Sequence, residues 1–151
     1  MNLKMMILSE KLGTEIPLPT YATPGSAAMD LRACMDEPIT IHCGETKLIP
    51  TGIAISVEPD HVALLFARSG LACKQGLTLA NGVGVIDSDY RGEIMVALHS
   101  YNTDHIPLTI QPGDRIAQLA IIPVTHCDIK VLNELDETER GCGGFGSTGR
   151  A

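Results

Sequence analysis

Apolar residues recur at every second position, or in short runs, through most of this chain, and that pattern limits the folds open to it. The alternation is clear in residues 53–57 and 62–66, and apolar runs cover residues 94–98 and 116–124. Turn signals such as Asn81-Gly82 separate these segments. Because no segment of ordinary helix length carries an amphipathic helical stripe, many short strands are predicted. The pattern is typical of an all-β fold, a barrel or sandwich of jelly-roll type.

One short helix interrupts the predicted strands. It begins at Ser69 and ends before Gly76. A chain of 151 residues is long enough for a single domain with a buried core, and we predict that domain over residues 1–135. Residues 136–151 are polar and rich in glycine, which leaves too little apolar surface to hold them in a fold. We therefore expect a flexible C-terminal arm that orders over a phosphorylated ligand.

Composition argues against several classes of function. The hydrophobic fraction of 44% and the charged fraction of 19% are typical of a soluble globular protein. The formal net charge of −7 argues against nonspecific binding to nucleic acids or acidic membranes, which requires a basic surface. The five cysteines are an odd number and form no Cys-x-x-Cys pair, which favours the reducing cytoplasm over a disulfide framework. No apolar stretch approaches the length of a membrane span.

The arginines, unlike the lysines, fall within or beside short polar blocks. A guanidinium group binds phosphate through two parallel hydrogen bonds, so concentrated arginines in an acidic protein suggest a phosphorylated small ligand. The five histidines show no metal-ligand spacing, and no serine or cysteine lies in a nucleophile motif. We therefore expect neither a structural zinc site nor a nucleophilic triad.

Residues 86–93 form a polar block between two apolar segments, and we predict the tip of a β-hairpin there. Aspartate, serine and glycine are ordinary turn residues, so a purely structural role stays open. Asp87 lies at the end of a predicted strand, where a rigid framework can aim its carboxylate to orient a water and accept its proton. Tyr90 offers a flat face that can stack on a sugar.

Residues 67–72 follow a predicted strand and open the predicted helix. Free amides at a helix N-terminus, the Ser69 hydroxyl and the Arg68 guanidinium together can form an anion site. Ser69 also suits a helix N-cap, so a structural role is the alternative for that residue.

Two other polar residues interrupt apolar segments, and two more lie in a turn. Gln118 lies within an apolar run and needs a hydrogen-bond partner. Asp30 lies between apolar neighbours, where a hydrogen-bonded structural role is the alternative to a function. Asp114 and Arg115 belong to the turn before the last predicted strand, and we interpret both as structural turn residues.

Five sequence blocks, in this order along the chain, resemble the trimeric dUTP pyrophosphatases (dUTPases). They are SAAMDLRA at 26–33, ARSGLA at 67–72, NGVGVIDSDYRGE at 81–93, GDRIAQL at 113–119 and RGCGGFGSTG at 140–149. The match extends nearly from end to end, and any two of the blocks are already specific. This chain has Ala67 where the family commonly has proline and Ala28 where it has glycine, and neither change removes a chemical group.

The resemblance implies a fold, a reaction and an assembly. The family hydrolyses dUTP to dUMP and pyrophosphate, which keeps uracil out of DNA and supplies dUMP for thymidylate synthesis. Its fold is a jelly-roll-like β-barrel, the dUTPase-like β-clip, and its members form homotrimers with shared active sites at the subunit contacts. The implied cofactor is a Mg²⁺ ion on the triphosphate oxygens, with Asp30 meeting its water shell indirectly.

The resemblance also implies roles for individual residues. Asp87 is implied as the general base for the water that attacks the α-phosphorus, and Tyr90 as a wall that excludes a 2′-hydroxyl. The implied uracil-binding residues are Asn81, Val85, Ile86, Asp87 and Met95. The implied phosphate-binding residues are Arg68, Ser69, Gly70 and Gln118. The arm of another subunit is implied to bring Phe145 onto uracil and Arg140, Ser147 and Thr148 onto the phosphates.

Two alternatives differ in reaction or class. A dCTP deaminase shares the barrel and the IDxxYxG block, but it needs a catalytic glutamate on the following strand, where this chain has Ala97. A non-enzymatic, dUTPase-like regulatory binder is expected to lose Asp87 or the arm, and this chain keeps both. The residues therefore favour dUTP hydrolysis over either alternative.

Overall fold

Eleven short strands and one short helix form the regular structure of residues 2–143, the part of the chain that this computed structural model describes. The strands are β1 (Lys4–Ile7), β2 (Met29–Arg32), β3 (Ile39–Ile41), β4 (Thr46–Pro50), β5 (Ile53–Ser56), β6 (His61–Phe66), β7 (Leu77–Leu79), β8 (Gly84–Ile86), β9 (Met95–Ser100), β10 (Leu108–Ile110) and β11 (Arg115–Pro123). The helix α1 (Ser69–Gln75) lies between β6 and β7. The prediction of an all-β fold with one short helix is therefore confirmed.

The strands pair in antiparallel ladders that form four sheets. The largest sheet has the order β2-β11-β6-β8, and a three-stranded sheet has the order β4-β9-β7. The two smaller sheets pair β1 with β5 and β10 with β3. Among residues 2–143 these ladders do not close into a continuous barrel.

One cluster of buried apolar side chains connects strands from all four sheets. Its fully buried members include Leu31 of β2, Ile41 of β3, Ile53 of β5 and Leu98 of β9. Each such side chain contributes about 1.5–3 kcal/mol relative to an exposed one. The sheets are therefore held together by a shared core.

The alternation in β6 is real, but it does not mark the core face. The buried residues of this strand are Ala63 and Leu65, whereas Phe66 is 37% exposed and Val62 and Leu64 are half-buried. Both faces of β6 are apolar, so a period of two cannot decide which of them points inward.

The predicted β-hairpin at residues 86–93 is wrong. The strands on either side of this block, β8 and β9, belong to different sheets and do not pair with each other. Residues 87–94 form a connection from the edge of one sheet to the centre of another. The polar block is a turn, as its composition indicates, but the turn joins two layers of the fold.

The helix has the predicted bounds and a different cap. It ends before Gly76, whose φ of +67° closes the helix in the left-handed conformation. A Cβ at this glycine would lie 2.9 Å from the Asn102 Cα, so no other residue fits there easily. The N-cap residue is Arg68 and not Ser69, which is the first helical residue. With seven residues, α1 is not long enough to cross a membrane.

Candidate active site

A cavity of about 220 Å³ lies where β6 and β8 meet the start of β9. Its lining includes every residue outside the arm that the resemblance implies for the base and the sugar, which are Asn81, Val85, Ile86, Asp87, Tyr90 and Met95. Leu65, Gly84, Glu93 and Ile94 complete its wall. Leu65 of β6 and residues 81–95 thus line one common space.

Strand β8 forms one side of the cavity and lies at the edge of its sheet. Within residues 2–143 its one strand partner is β6, so its other backbone edge can donate and accept hydrogen bonds. Gly84 pairs with Leu65, and a Cβ at Gly84 would lie 2.9 Å from the Leu65 Cβ. The glycine therefore permits a close approach of the two strands behind the cavity.

The turn after β8 carries Asp87 and Tyr90. The Tyr90 N–H donates to the Asp87 carbonyl at 3.2 Å. The Arg91 guanidinium stabilises the turn by donating from Nη1 to the carbonyls of Ser88 and Tyr90, at 2.7 and 2.8 Å. Asp87 is exposed, and within residues 2–143 no hydrogen bond occupies its carboxylate. That carboxylate can therefore bind a water and accept a proton.

A cluster of polar side chains, here called the positive cluster, surrounds Asp30. Its Oδ1 accepts a hydrogen bond from Arg68 Nε at 3.1 Å, and its Oδ2 accepts one from Arg115 Nη1 at 3.1 Å. The Gln118 side-chain amide approaches Oδ1 at 3.5 Å. Two guanidinium groups thus face one carboxylate, and the cluster carries a positive charge that suits phosphate oxygens.

The sheet register brings these residues together. Gln118 lies opposite Asp30 on β2 and opposite Phe66 on β6, and Arg68 follows β6 by two residues. Gln118 was predicted to need a hydrogen-bond partner, and the structure supplies Asp30. The interpretation of Arg115 as a turn residue is wrong, because it begins β11 and binds Asp30 with its side chain. Asp114 does stabilise its turn, accepting from the Gln111 N–H at 2.8 Å.

Known proteins resemble this chain in both sequence and fold. A family model described as dUTPase matches residues 14–149. The chain belongs to the dUTPase family. It is 51% identical over 151 residues to the deoxyuridine 5′-triphosphate nucleotidohydrolase of Idiomarina loihiensis, covering 99% of both chains. It is 50% identical over 150 residues to that of Aeromonas hydrophila, covering 99% of this chain and 97% of the other.

A solved dUTPase structure shows the same fold. The Staphylococcus bacteriophage 80alpha dUTPase, solved with dUPNHPP, superposes with a TM-score of 0.85. The two chains are 26% identical, and the match covers 99% of each. The fold is therefore shared at a sequence identity far below that of the bacterial relatives.

Some residues implied for a dUTPase site lie neither in the wall of the cavity nor in the positive cluster. Arg140 donates from Nε to the Gly143 carbonyl at 2.9 Å, within its own turn. Phe145, Ser147 and Thr148 lie outside the described residues. Ser69 and Gly70 are exposed at the start of α1, next to Arg68.

Among the described residues of this dUTPase, one group of side chains has the spacing for a metal ion. Glu58, Asp60 and His61 place potential ligand atoms within 4.8 Å of one another. The pKa of Asp60 lies below its ordinary value, because His61 Nδ1 binds its carboxylate at 2.7 Å. Glu58 and Asp60 are exposed, and nothing else in the structure marks this group as a metal centre.

Sequence reasoning missed two residues at the site of this dUTPase. Glu93 lines the cavity, and its Oε1 accepts a hydrogen bond from the Gly52 N–H at 2.7 Å. Arg115 belongs to the charged cluster. Both lie inside blocks that resemble the family, but their partners are 41 and 85 residues away along the chain. No local pattern indicates contacts of that kind.

Proposed function

We propose that this chain hydrolyses dUTP to dUMP and pyrophosphate. One observation carries the proposal: the cavity gathers Asn81, Asp87 and Tyr90, and β6 leads from its wall to the arginines around Asp30. Membership of the dUTPase family supports the same reaction. The product dUMP supports thymidylate synthesis, and removal of dUTP limits uracil incorporation into DNA.

Uracil binds against the edge of β8. Main-chain donors and acceptors of Val85 and Ile86 match one edge of the base, together with the Asn81 side-chain amide. Met95 forms the facing wall of the cavity. A close wall leaves no space for the methyl group of thymine, and cytosine presents the wrong donor pattern to the strand edge.

Asp87 acts as the general base. Its exposed carboxylate accepts a proton from a water, and that water attacks the α-phosphorus. The bond to the leaving pyrophosphate breaks as the new phosphorus–oxygen bond forms. Tyr90, on the same turn, packs against the deoxyribose and leaves no room for a 2′-hydroxyl.

The positive cluster binds the phosphate chain. Arg68, Gln118 and the α1 N-terminus with Ser69 and Gly70 supply donors to its oxygens. A Mg²⁺ ion on the triphosphate would offset the negative charge of the phosphate oxygens and so favour attack by water at the phosphorus. Both Asp30 oxygens are bound to arginines, which fits an indirect contact with that ion through water and not direct ligation.

The site is completed by a second copy of the chain, and the enzyme is a homotrimer with shared active sites. Residues 136–151 form an arm that closes over the site of a neighbouring subunit. This arm supplies Arg140, Phe145, Ser147 and Thr148. Residues 125–135 support this assembly, because large apolar side chains there are exposed: Ile129 by 90%, Val131 by 92% and Leu135 by 86%. A neighbouring subunit is the surface that covers them.

The five free cysteines further support a cytoplasmic enzyme, since an oxidising compartment favours their pairing.

Pyrophosphate release from dUTP, dTTP, dCTP and UTP in the presence of Mg²⁺ tests the proposal. We expect rapid release from dUTP alone, and a loss of about 10²–10⁴-fold in kcat for Asp87→Asn. Asp89→Asn, an exposed aspartate of the same turn, is the matched control and keeps the parental rate. Ammonia release from dCTP shows a deaminase instead, and no reaction with any nucleotide shows a regulatory binder.

A further inference from the structure

The turn that carries Tyr90 is fastened to a distant turn of the fold. The Glu93 Oε1 accepts from the Gly52 N–H at 2.7 Å, and the Thr51 hydroxyl donates to the Ile94 carbonyl at 2.6 Å. The Ile94 N–H donates to the Ile53 carbonyl at 2.9 Å. These three hydrogen bonds, here called the 51–94 clamp, join the end of the cavity loop to the connection between β4 and β5.

The Gly52 side of the clamp is packed tightly into the core. Gly52 is buried and has a φ of +70°. A Cβ at this position would lie 2.7 Å from both Cys34 Sγ and Leu12 Cδ1, so the backbone is in close contact with the core. The N–H of a buried glycine needs a partner, and the Glu93 carboxylate supplies a charge-assisted one. Glu93 is therefore held in a fixed place.

The Tyr90 ring lies directly on the clamped segment. Its hydroxyl donates to the Glu93 carbonyl at 3.0 Å. A Cβ at Gly92 would lie 2.3 Å from the Tyr90 Oη and 2.6 Å from Cζ, so the ring packs against the bare backbone of residue 92. The position of the ring is thus set by the backbone of residues 92–93, and that backbone is set by the clamp.

We infer that Glu93 is a positioning residue which, through the 51–94 clamp, fixes the Tyr90 ring and thereby sets the discrimination between deoxyribonucleotide and ribonucleotide. The inference rests on the proposed function, because it concerns the sugar subsite of the same cavity. Glu93 acts through Tyr90, because its Oε1 is bound to the Gly52 N–H and its main-chain carbonyl accepts from the Tyr90 hydroxyl. A wall excludes one hydroxyl group only when it is held rigidly, because a displacement of the ring opens that space.

The test is the ratio of kcat/KM for dUTP to kcat/KM for UTP. In Glu93→Ala we expect this ratio to fall at least about tenfold, the lower limit of what a pocket gains by excluding one small group. The kcat for dUTP changes less than the ratio does. Glu93→Gln keeps an oxygen that can accept from the Gly52 N–H, so its ratio stays closer to the parental value. Thr51→Val removes another hydrogen bond of the clamp and lowers the ratio in the same direction.

Two comparisons separate positioning from a loss of stability. Ile41→Val trims a fully buried residue of β3, in a sheet that contains no part of the clamp, and it lowers Tm without changing the ratio. In a background of Tyr90→Ala, where the ring is absent, Glu93→Ala has no further effect on the ratio.

The outcomes are distinct. If the parent releases no pyrophosphate from dUTP, the proposed function fails and this inference falls with it. If the parent is active on dUTP and Glu93→Ala keeps the parental ratio, only the inference is overturned. The inference is also overturned if Ile41→Val lowers the ratio of kcat/KM values as much as Glu93→Ala does. Should Glu93→Ala fail to fold, a parental ratio in Thr51→Val overturns the inference.

Discussion

Replacing Asp30 by asparagine removes the only carboxylate of the positive cluster and should destabilise the fold. Asp30 is 14% exposed and accepts hydrogen bonds from two guanidinium groups, each at 3.1 Å. Asparagine is close in shape, but it has one acceptor oxygen, and its amide nitrogen then faces a guanidinium donor. A hydrogen bond to a charged group contributes about 1.5–3 kcal/mol, and the Arg115 side chain is 46% exposed, which reduces its share.

We therefore expect the free energy of unfolding to fall by about 3 kcal/mol in Asp30→Asn. For a chain of 151 residues this loss corresponds to a decrease in Tm of about 6–12 °C. Thermal unfolding followed by circular dichroism measures it, at one protein concentration for all variants because association would shift Tm.

Asp36→Asn is the matched control for Asp30→Asn. Asp36 makes the same kind of contact once, at 2.5 Å to Lys11, but its side chain is 88% exposed. Its effect on Tm should be smaller and should largely vanish in 1 M salt, whereas the effect of Asp30→Asn should persist. Equal shifts in Tm for the two variants, or loss of the Asp30 effect in salt, would refute the reasoning that burial and double pairing make Asp30 different.

The remaining predictions concern the cavity wall, the pH dependence of stability and the cofactor. Gly84→Ala places a Cβ 2.9 Å from the Leu65 Cβ, so we expect the free energy of unfolding, measured in urea, to fall by about 1–3 kcal/mol. The KM for dUTP should rise, because the added methyl group displaces β8. The His42 N–H donates to Glu45 at 2.9 Å and holds the pKa of that carboxyl below its ordinary value of 4.5. Because the pKa of Glu45 is lowered in the folded state, its ionised carboxylate stabilises the fold above pH 4.5, and this stabilisation is lost as the pH falls. The Tm difference between the parent and Glu45→Gln should therefore narrow below pH 4.5. A difference that stays constant with pH contradicts this prediction. Removal of Mg²⁺ by EDTA should abolish pyrophosphate release while leaving Tm unchanged, since in the proposed mechanism the ion enters with the triphosphate. A large fall in Tm shows a structural ion instead.

Local patterns predicted the class of the fold and the positions of several elements. The turn residues and the period of two indicated short strands, and the serine and glycine around α1 gave its bounds. The pairing of the strands was not accessible in the same way. Strand β6 pairs with β11, which begins about fifty residues later, and the sequence of neither strand indicates this pairing. The hairpin prediction failed for this reason, since neighbouring strands were assumed to pair.

The same limit applies to the site. Residues within one block, such as Asp87 and Tyr90, lie on one turn and line one cavity, as the sequence indicates. Contacts between blocks depend on the sheet register. Asp30 meets Arg115 because β2 pairs with β11, whereas the ordinary turn residues beside Arg115 indicate only a structural role. The identity of a residue shows what it can bind, whereas its partner follows from the assembled fold.

The packing of strand β6 in the core sets the distance between the cavity and the positive cluster. Leu65 lies in the wall of the cavity, and Arg68, three residues later and still extended, binds Asp30. At about 3.3 Å per residue, the backbone advances about 10 Å between them, so the strand fixes the separation of the proposed base and phosphate subsites. A slip of one residue in the ladder of β6 would turn Leu65 away from the core and shift Arg68 relative to Gln118. The burial of Ala63 and Leu65 therefore keeps the subsites at their distance, and a loss of register at β6 must impair stability and dUTP binding together.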